Sequence, residues 1–307
     1  MNQPTRSTLL PAYLALLAGI LSTGFSGIFV FWANAPGPVT GFYRMAIATL
    51  AMAIPFWRQA RRQRAPRPGT IPLTPYPHRA LLLAVLGGAL FASDLVFWNS
   101  GVLLSGATMP TLMGNTAPVW VGLGALVFFR EKLTLSFWLG LLLAISGAVV
   151  ILGLNLRQDF NLGLGTLLGL LSGIFYGGYY LVTQRGRQFL DTITYFWLAT
   201  AIAVVVLFLL TQLLSQPLTG YPLQSYLSFL GLGLLVHAFG QYSFSYALGY
   251  LPASLVAPAG LGQPVVTALL AGPLLGQYLT PGQAAGGVAV LVGVLVVHRS
   301  RTGRRSA

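Results

Sequence analysis

Side chains able to do chemistry are scarce in this sequence, so each can be weighed singly. The acidic residues are Asp94, Glu131, Asp159 and Asp191, the histidines are His78, His237 and His298, and cysteine is absent. Asp94 is the only carboxylate deep inside an apolar run, and Trp98 follows one helical turn later on the same face. A carboxylate so placed is costly unless it is paired or protonated. Two readings stay open: it meets a cationic group or takes a coupling proton, or it forms a fixed ion pair with Arg44 of the preceding run. His237 is the only histidine well inside an apolar run, and an imidazole can change charge near neutral pH. Gln241 lies four residues on, so a helix would put both on one face, expected to line a cavity.

Amides and aromatic hydroxyls complete the set. Asn115 precedes Pro118 and Gln263 precedes Pro264. A proline removes one helical hydrogen bond and frees the carbonyl a turn earlier, so each amide either lines a polar spot at depth or repairs the broken helix. Tyr176 and Tyr180 stack at i+4 with Tyr179 beside them, suited to an aromatic wall. Glu131, between Arg130 and Lys132, is expected to play a local structural part. There is no Cys/His cluster, HxxxD pattern or loop carboxylate pair, so no catalytic residue, metal site or cofactor is expected, and an intramembrane transferase is disfavoured.

The elements that must position these groups are membrane helices. Hydrophobic residues make up 55% of the 307, charged residues 7%, and the mean hydropathy is +0.76. Soluble chains carry about 25% charged residues, so this one cannot coat a globule. Ten apolar runs are long enough to cross a bilayer, roughly Pro11–Ala33, Val39–Trp57, Ala80–Val102, Ala107–Phe129, Thr134–Gly153, Leu162–Gln184, Thr192–Leu214, Leu223–Ala247, Ala253–Leu275 and Pro281–His298. All must be helices, because hydrocarbon offers the backbone no water. The first is too long for a signal-peptide core and reads as a retained span. The polar connection Arg58–Arg79 reads as a disordered or extended loop. Asp94 lies 14 residues from the Ala80 end of its span, the inner end, about 21 Å at 1.5 Å per residue.

The formal charge of +13 is not a nucleic-acid surface, since the basic residues sit between the apolar runs. With the N-terminus inside, fifteen of the seventeen Lys and Arg fall in inner segments, one (Arg157) falls outside and Arg44 lies within a span. That bias places both termini in the cytoplasm.

A repeat divides the chain. Ser105–Leu152 recurs as Leu251–His298 at a constant offset of 146, pairing Ala107 with Ala253, Gly114 with Gly260 and Pro118 with Pro264. The pairing continues through Leu133-Thr134 on Leu279-Thr280, Gly140 on Gly286 and Gly147 on Gly293. Five spans per copy is an odd number, so the second copy enters the membrane inverted: residues 11–153 form one repeat, 162–298 the other, with 1–10 and 299–307 as tails. The glycine stripes Gly19/Gly27 and Gly169/Gly173/Gly177 are expected to let helices approach closely. Inverted repeats with a site between them are the geometry of alternating access.

Ten spans in two inverted halves, each with a Pro-containing fourth helix, resemble the drug/metabolite transporter (DMT) superfamily, specifically proteins with paired EamA domains. The likeness rests on Asn115 to Pro118, the turn Glu131-Lys132-Leu133-Thr134, Gly140, Gly147 and Arg44, and runs from about Pro11 to His298. Gln277 departs from it, standing where such repeats often carry glutamate. The resemblance implies a secondary transporter, often an exporter of amino acids or related small metabolites. No GxxxxGK[ST] loop is present, so the energy must come from gradients or from the substrate itself. The candidate substrate-binding residues are Asp94, Trp98, Asn115, Tyr176, Tyr180, His237, Gln241 and Gln263, and those for coupling or an ion pair are Asp94, Arg44 and His237. The expected partners are a small-molecule substrate and the lipid bilayer, the expected location a bacterial inner membrane. Proton coupling and a homo-oligomer stay open. So do multidrug or organic-cation efflux and facilitative transport.

Overall fold

The computed structural model describes residues 6–64, 77–105, 108–152, 163–276 and 278–302, and every regular element among them is helical. The first span is split into α1 (Arg6–Thr23) and α2 (Ser26–Ala33), the second is α3 (Gly37–Arg64) and the third α4 (His78–Ser105). The fourth is split into α5 (Thr108–Gly114) and α6 (Ala117–Phe128), and α7 (Leu135–Ile151) closes the first half. The second half opens with α8 (Leu164–Gly186) and α9 (Thr192–Leu213). Its third span runs through α10 (Leu223–Gly231), a π-helical segment (Leu232–Gln241) and α11 (Tyr242–Ala247). The ninth span is split into α12 (Ala253–Gly260) and α13 (Gly262–Leu275), and α14 (Pro281–Thr302) is the tenth. Nine of these stretches are 20 to 25 residues long and apolar enough to cross a membrane, and Leu135–Ile151 is a shorter apolar helix. The protein is a multi-pass integral membrane protein.

Helix ends follow local chemistry. Asn34 adopts a left-handed conformation (φ 41°) and stops α2, as an asparagine can at little cost. Thr134 caps α7 by accepting from Phe137 N, and Asp191 caps α9 by accepting from Thr194 N at 3.1 Å, each satisfying an otherwise orphaned donor. One expectation needs correction. Arg58, Arg61, Arg62 and Arg64 are not in a loop but on the last turns of α3, because the run lacks a helix breaker before Pro66 and arginine is a good helix former. Residues 65–76 lie outside those described. Likewise α1 begins at Arg6 and α14 reaches Thr302, so parts of both tails are helical.

Packing obeys the inversion. The fifth span lies on the tenth and the second on the seventh, while the third packs on the sixth as the eighth packs on the first. The α7–α14 crossing is reciprocal. A Cβ on Gly140 would lie 2.9 Å from Gly293 O, and one on Gly286 2.8 Å from Gly147 O. Each contact is the 146-residue counterpart of the other, which only a two-fold relation between the halves produces. Small residues here let two backbones touch where lipid supplies no hydrophobic drive. Leucines face outward instead: Leu50, Leu135 and Leu213 are 73%, 74% and 80% exposed, a surface suited to hydrocarbon. Aromatic and small side chains fill the centre, where Phe91, Tyr179, Tyr180 and Phe244 pack together.

Candidate functional site

The two helix breaks are the same feature in each half. Asn115 and Thr116 interrupt the fourth span, and Leu261, 146 positions beyond Asn115, interrupts the ninth. Pro118 and Pro264 explain them. Neither has an N–H to offer the residue four before it, Gly114 or Gly260, so the chain turns through tighter bonds, Thr116 N to Met113 O and Leu261 N to Pro258 O. The α8 glycine stripe seats the broken fourth span. A Cβ on Gly169 would meet Pro110 at 2.5 Å, and one on Gly173 would meet Met113 O at 2.7 Å. α8 can therefore lie directly against the break.

Where the breaks face each other there is a cavity of about 50 Å³. The fourth span contributes Gly114, Asn115 and Ala117, the ninth contributes Ala257, Gly260, Leu261 and Gln263, and α8 contributes Tyr176 and Tyr180. The Tyr176 and Tyr180 hydroxyls are 3.2 Å apart and share one hydrogen bond. Asn115 Nδ2 is buried and has no partner. The N-termini of α6 and α13 start beside the cavity, so two helix dipoles present their positive ends to it. It is thus lined by amide donors, phenolic hydroxyls and helix ends, with room for a few waters.

Four sequence candidates, Asn115, Tyr176, Tyr180 and Gln263, therefore line one cavity. Asp94 and Trp98 stand just behind its wall. Ser172 Oγ donates to Asp94 Oδ1 at 2.5 Å, and both Ser172 and Trp98 abut Gly114, at 3.5 and 3.7 Å from where a Cβ would sit. Trp98 Nε1 donates to Thr111 Oγ1 at 3.2 Å, tying α4 to α5. His237 and Gln241 are set further back. The imidazole lies 5.3 Å from the Phe91 ring and 5.2 Å from Phe196, with Nδ1 unpartnered, and Phe91 in turn packs on Tyr179 at 4.8 Å. Gln241 is buried beside the Tyr176 and Tyr179 hydroxyls, its Nε2 falling short of a well-formed hydrogen bond. Both residues ride on the π segment, whose i→i+5 bonding alters the angular step per residue. Arg44 belongs to a separate cavity of about 110 Å³. Among the described residues no group of three or more His, Cys, Asp or Glu is placed to hold a metal ion.

Several contacts had no sequence signal. Ser172 reads in the sequence as one more small residue of a packing stripe. At the arginine-rich end of the bundle, Ser254 Oγ donates to Glu131 Oε2 at 2.6 Å, joining the two halves. Beside it Gln184 Oε1 accepts from Ala253 N at 2.6 Å. Arg187 donates through Nε to Ser245 O at 3.1 Å and through Nη1 to Leu190 O. Burial pulls its guanidinium below the usual range, against the opposing pull of Asp191. Glu131 is thus more than a local turn residue.

Comparison with known proteins agrees with this architecture. A probable terminal-alkyne amino-acid exporter of Streptantibioticus cattleyicolor is 26% identical over 262 residues, 85% of this chain and 84% of that protein. An uncharacterized transporter of Bacillus subtilis is 22% identical over 290 residues, 92% and 89% of the two chains. A protein crystal structure superposes with a TM-score of 0.73 at 17% identity, covering 95% of this chain and 97% of the other, which speaks to the fold alone. The profile of the EamA-like transporter family matches twice, over residues 10–153 and 163–299. With both halves matched, the chain belongs to the EamA-like transporter family.

Proposed function

We propose that this transporter exports amino acids or closely related zwitterionic metabolites, and that the substrate occupies the cavity between the two helix breaks. The observation that carries the reading is the coincidence of the breaks: two symmetric interruptions, opened by matched prolines, meet at one polar pocket. Discontinuous helices at the interface of inverted repeats are where secondary transporters hold their cargo. The α6 and α13 N-termini suit a carboxylate, Asp94 behind Gly114 suits an ammonium group, and Tyr176 and Tyr180 suit an apolar side chain. The Streptantibioticus relative, described as a probable terminal-alkyne amino-acid exporter, favours the same class. At about 50 Å³ the pocket is too small for such a substrate, so loading requires one end to open. In this reading residues 11–153 and 162–298 are the two units that move. The arginine-rich end and both termini face the cytoplasm of a bacterial inner membrane, following the charge bias.

The test is flux. Purified protein in proteoliposomes should exchange labelled leucine or a related neutral amino acid, and Asn115→Leu or Gln263→Leu should reduce exchange with the protein still folded. Transport of organic cations with no response to any amino acid would replace this reading with cation efflux.

A further inference from the structure

The second cavity poses a charge problem that the first does not answer. It lies at the arginine-poor end and is lined by Thr40, Arg44, Trp98 and Asn99 among apolar neighbours such as Val30 and Leu232. Arg44 Nε is buried with no hydrogen-bond partner, and the guanidinium makes a long hydrogen bond from Nη1 to Ser26 Oγ at 3.5 Å. Each described carboxylate has a hydrogen-bond partner elsewhere, Asp94 with Ser172, Glu131 with Ser254 and Asp191 at the N-cap of α9, although Asp94 is near enough to act on Arg44 through its charge. No ion pair joins Arg44 to Asp94 among the described residues. A guanidinium inside a membrane span calls for a counter-charge in contact with it, and this one has Asp94 only at a distance and faces a cavity of about 110 Å³.

We propose that this cavity is an anion subsite, distinct from the central pocket, which takes one monovalent anion on Arg44. A guanidinium presents parallel N–H donors that match a carboxylate, and the Asn99 side chain at the cavity wall adds an amide. With one cation present, a doubly charged phosphate would stay half neutralised in an apolar setting, which is unfavourable. The route between the cavities is short. Trp98 lines this one, while its Cδ1 lies 3.7 Å from where a Cβ on Gly114 would sit, and Gly114 lines the central pocket. A single indole therefore separates the two. The anion is the carboxylate of a substrate passing towards the arginine-poor end, or a free inorganic ion such as chloride. The first source rests on the export reading above, and the second does not.

The experiment uses the purified full chain in sodium HEPES with no other anion, and follows its thermal midpoint on titration with sodium acetate, sodium chloride or isoamylamine, which lacks the carboxylate. Saturable stabilisation by acetate but not by the amine, with affinity weakened about tenfold or more in Arg44→Gln, supports a carboxylate subsite. The same pattern with chloride alone supports the subsite with an inorganic occupant. No saturable response to either anion, or unchanged affinity in folded Arg44→Gln, overturns the proposal. Should Arg44→Gln not fold, Asn99→Leu decides, since it keeps the charge and the volume: weakened anion binding supports the site and wild-type binding overturns it. Leucine flux is measured in parallel. Lost flux with intact acetate binding removes the export reading and leaves the subsite, and intact flux without Arg44-dependent binding does the reverse.

Discussion

The Glu131–Ser254 contact offers a quantitative test of how the pocket opens. It joins the end of the fourth span to the start of the ninth, one from each half, at 2.6 Å, and Ser254 is fully buried. In the alternating-access reading proposed above, such a bond exists only while the arginine-rich end is closed. A hydrogen bond to a charged group contributes about 1.5–3 kcal/mol, and each ~1.4 kcal/mol is tenfold in an equilibrium constant. Glu131 is partly exposed, so solvent screening favours the lower end of that range. Ser254→Ala should then raise the population open at the arginine-rich end by about tenfold. Glu131→Gln, which keeps an acceptor, should do less. The native chain has no cysteine, so Ala257→Cys in the cavity wall, one turn beyond Ser254, reports opening by its labelling rate in inside-out vesicles. Labelling should accelerate by the same factor in the Ser254→Ala background. An unchanged rate in a folded protein would refute the latch, and with it the assignment of this contact to the closed state.

Three further outcomes are expected. Gly147→Leu should lower the thermal midpoint, because its Cβ would come 2.5 Å from Gly286 O and 2.7 Å from Val290 N, an overpacking cost of about 1–3 kcal/mol or more. Gly287→Leu, whose Cβ meets nothing nearer than Val265 Cγ1 at 3.7 Å, should be tolerated, and equal effects would count against the crossing. Asp94→Asn should abolish pH-gradient-driven flux while leaving downhill exchange measurable, with His237→Gln weakening the pH dependence less. Because Asp94 bonds to Ser172 and not to Arg44, neutralising Arg44 should not rescue Asp94→Asn, and rescue would restore the ion-pair account. A cysteine introduced by Gln63→Cys should resist an impermeant reagent outside intact cells, and labelling there would reverse the orientation.

The sequence alone was enough to establish the spans, their number and the repeat. Hydrocarbon forces each apolar run of sufficient length into a helix, so Leu223–Ala247 and Ala253–Leu275 emerge with the same bounds from hydropathy and from the structure. Matched Pro118 and Pro264 announce the helix breaks, because proline's missing N–H is a local property that no packing restores. Which candidates meet was decided only by tertiary structure. Ser172 and Asp94 are 78 positions apart and Ser254 and Glu131 are 123 apart, and nothing local sets the rotation of one helix against another. His237 and Gln241 show the limit most plainly. Their i+4 spacing does put both on the buried side of one helix, but which wall that side meets is set by how α4 and α8 pack, and the imidazole lies behind Phe91 instead of in the pocket. Arg44 shows the converse. Its charge is evident in the sequence, but that Asp94 acts on it only at a distance, with no salt bridge among the described residues, comes from how α3 and α4 pack, since a side chain's counter-charge is supplied by neighbours distant in the chain.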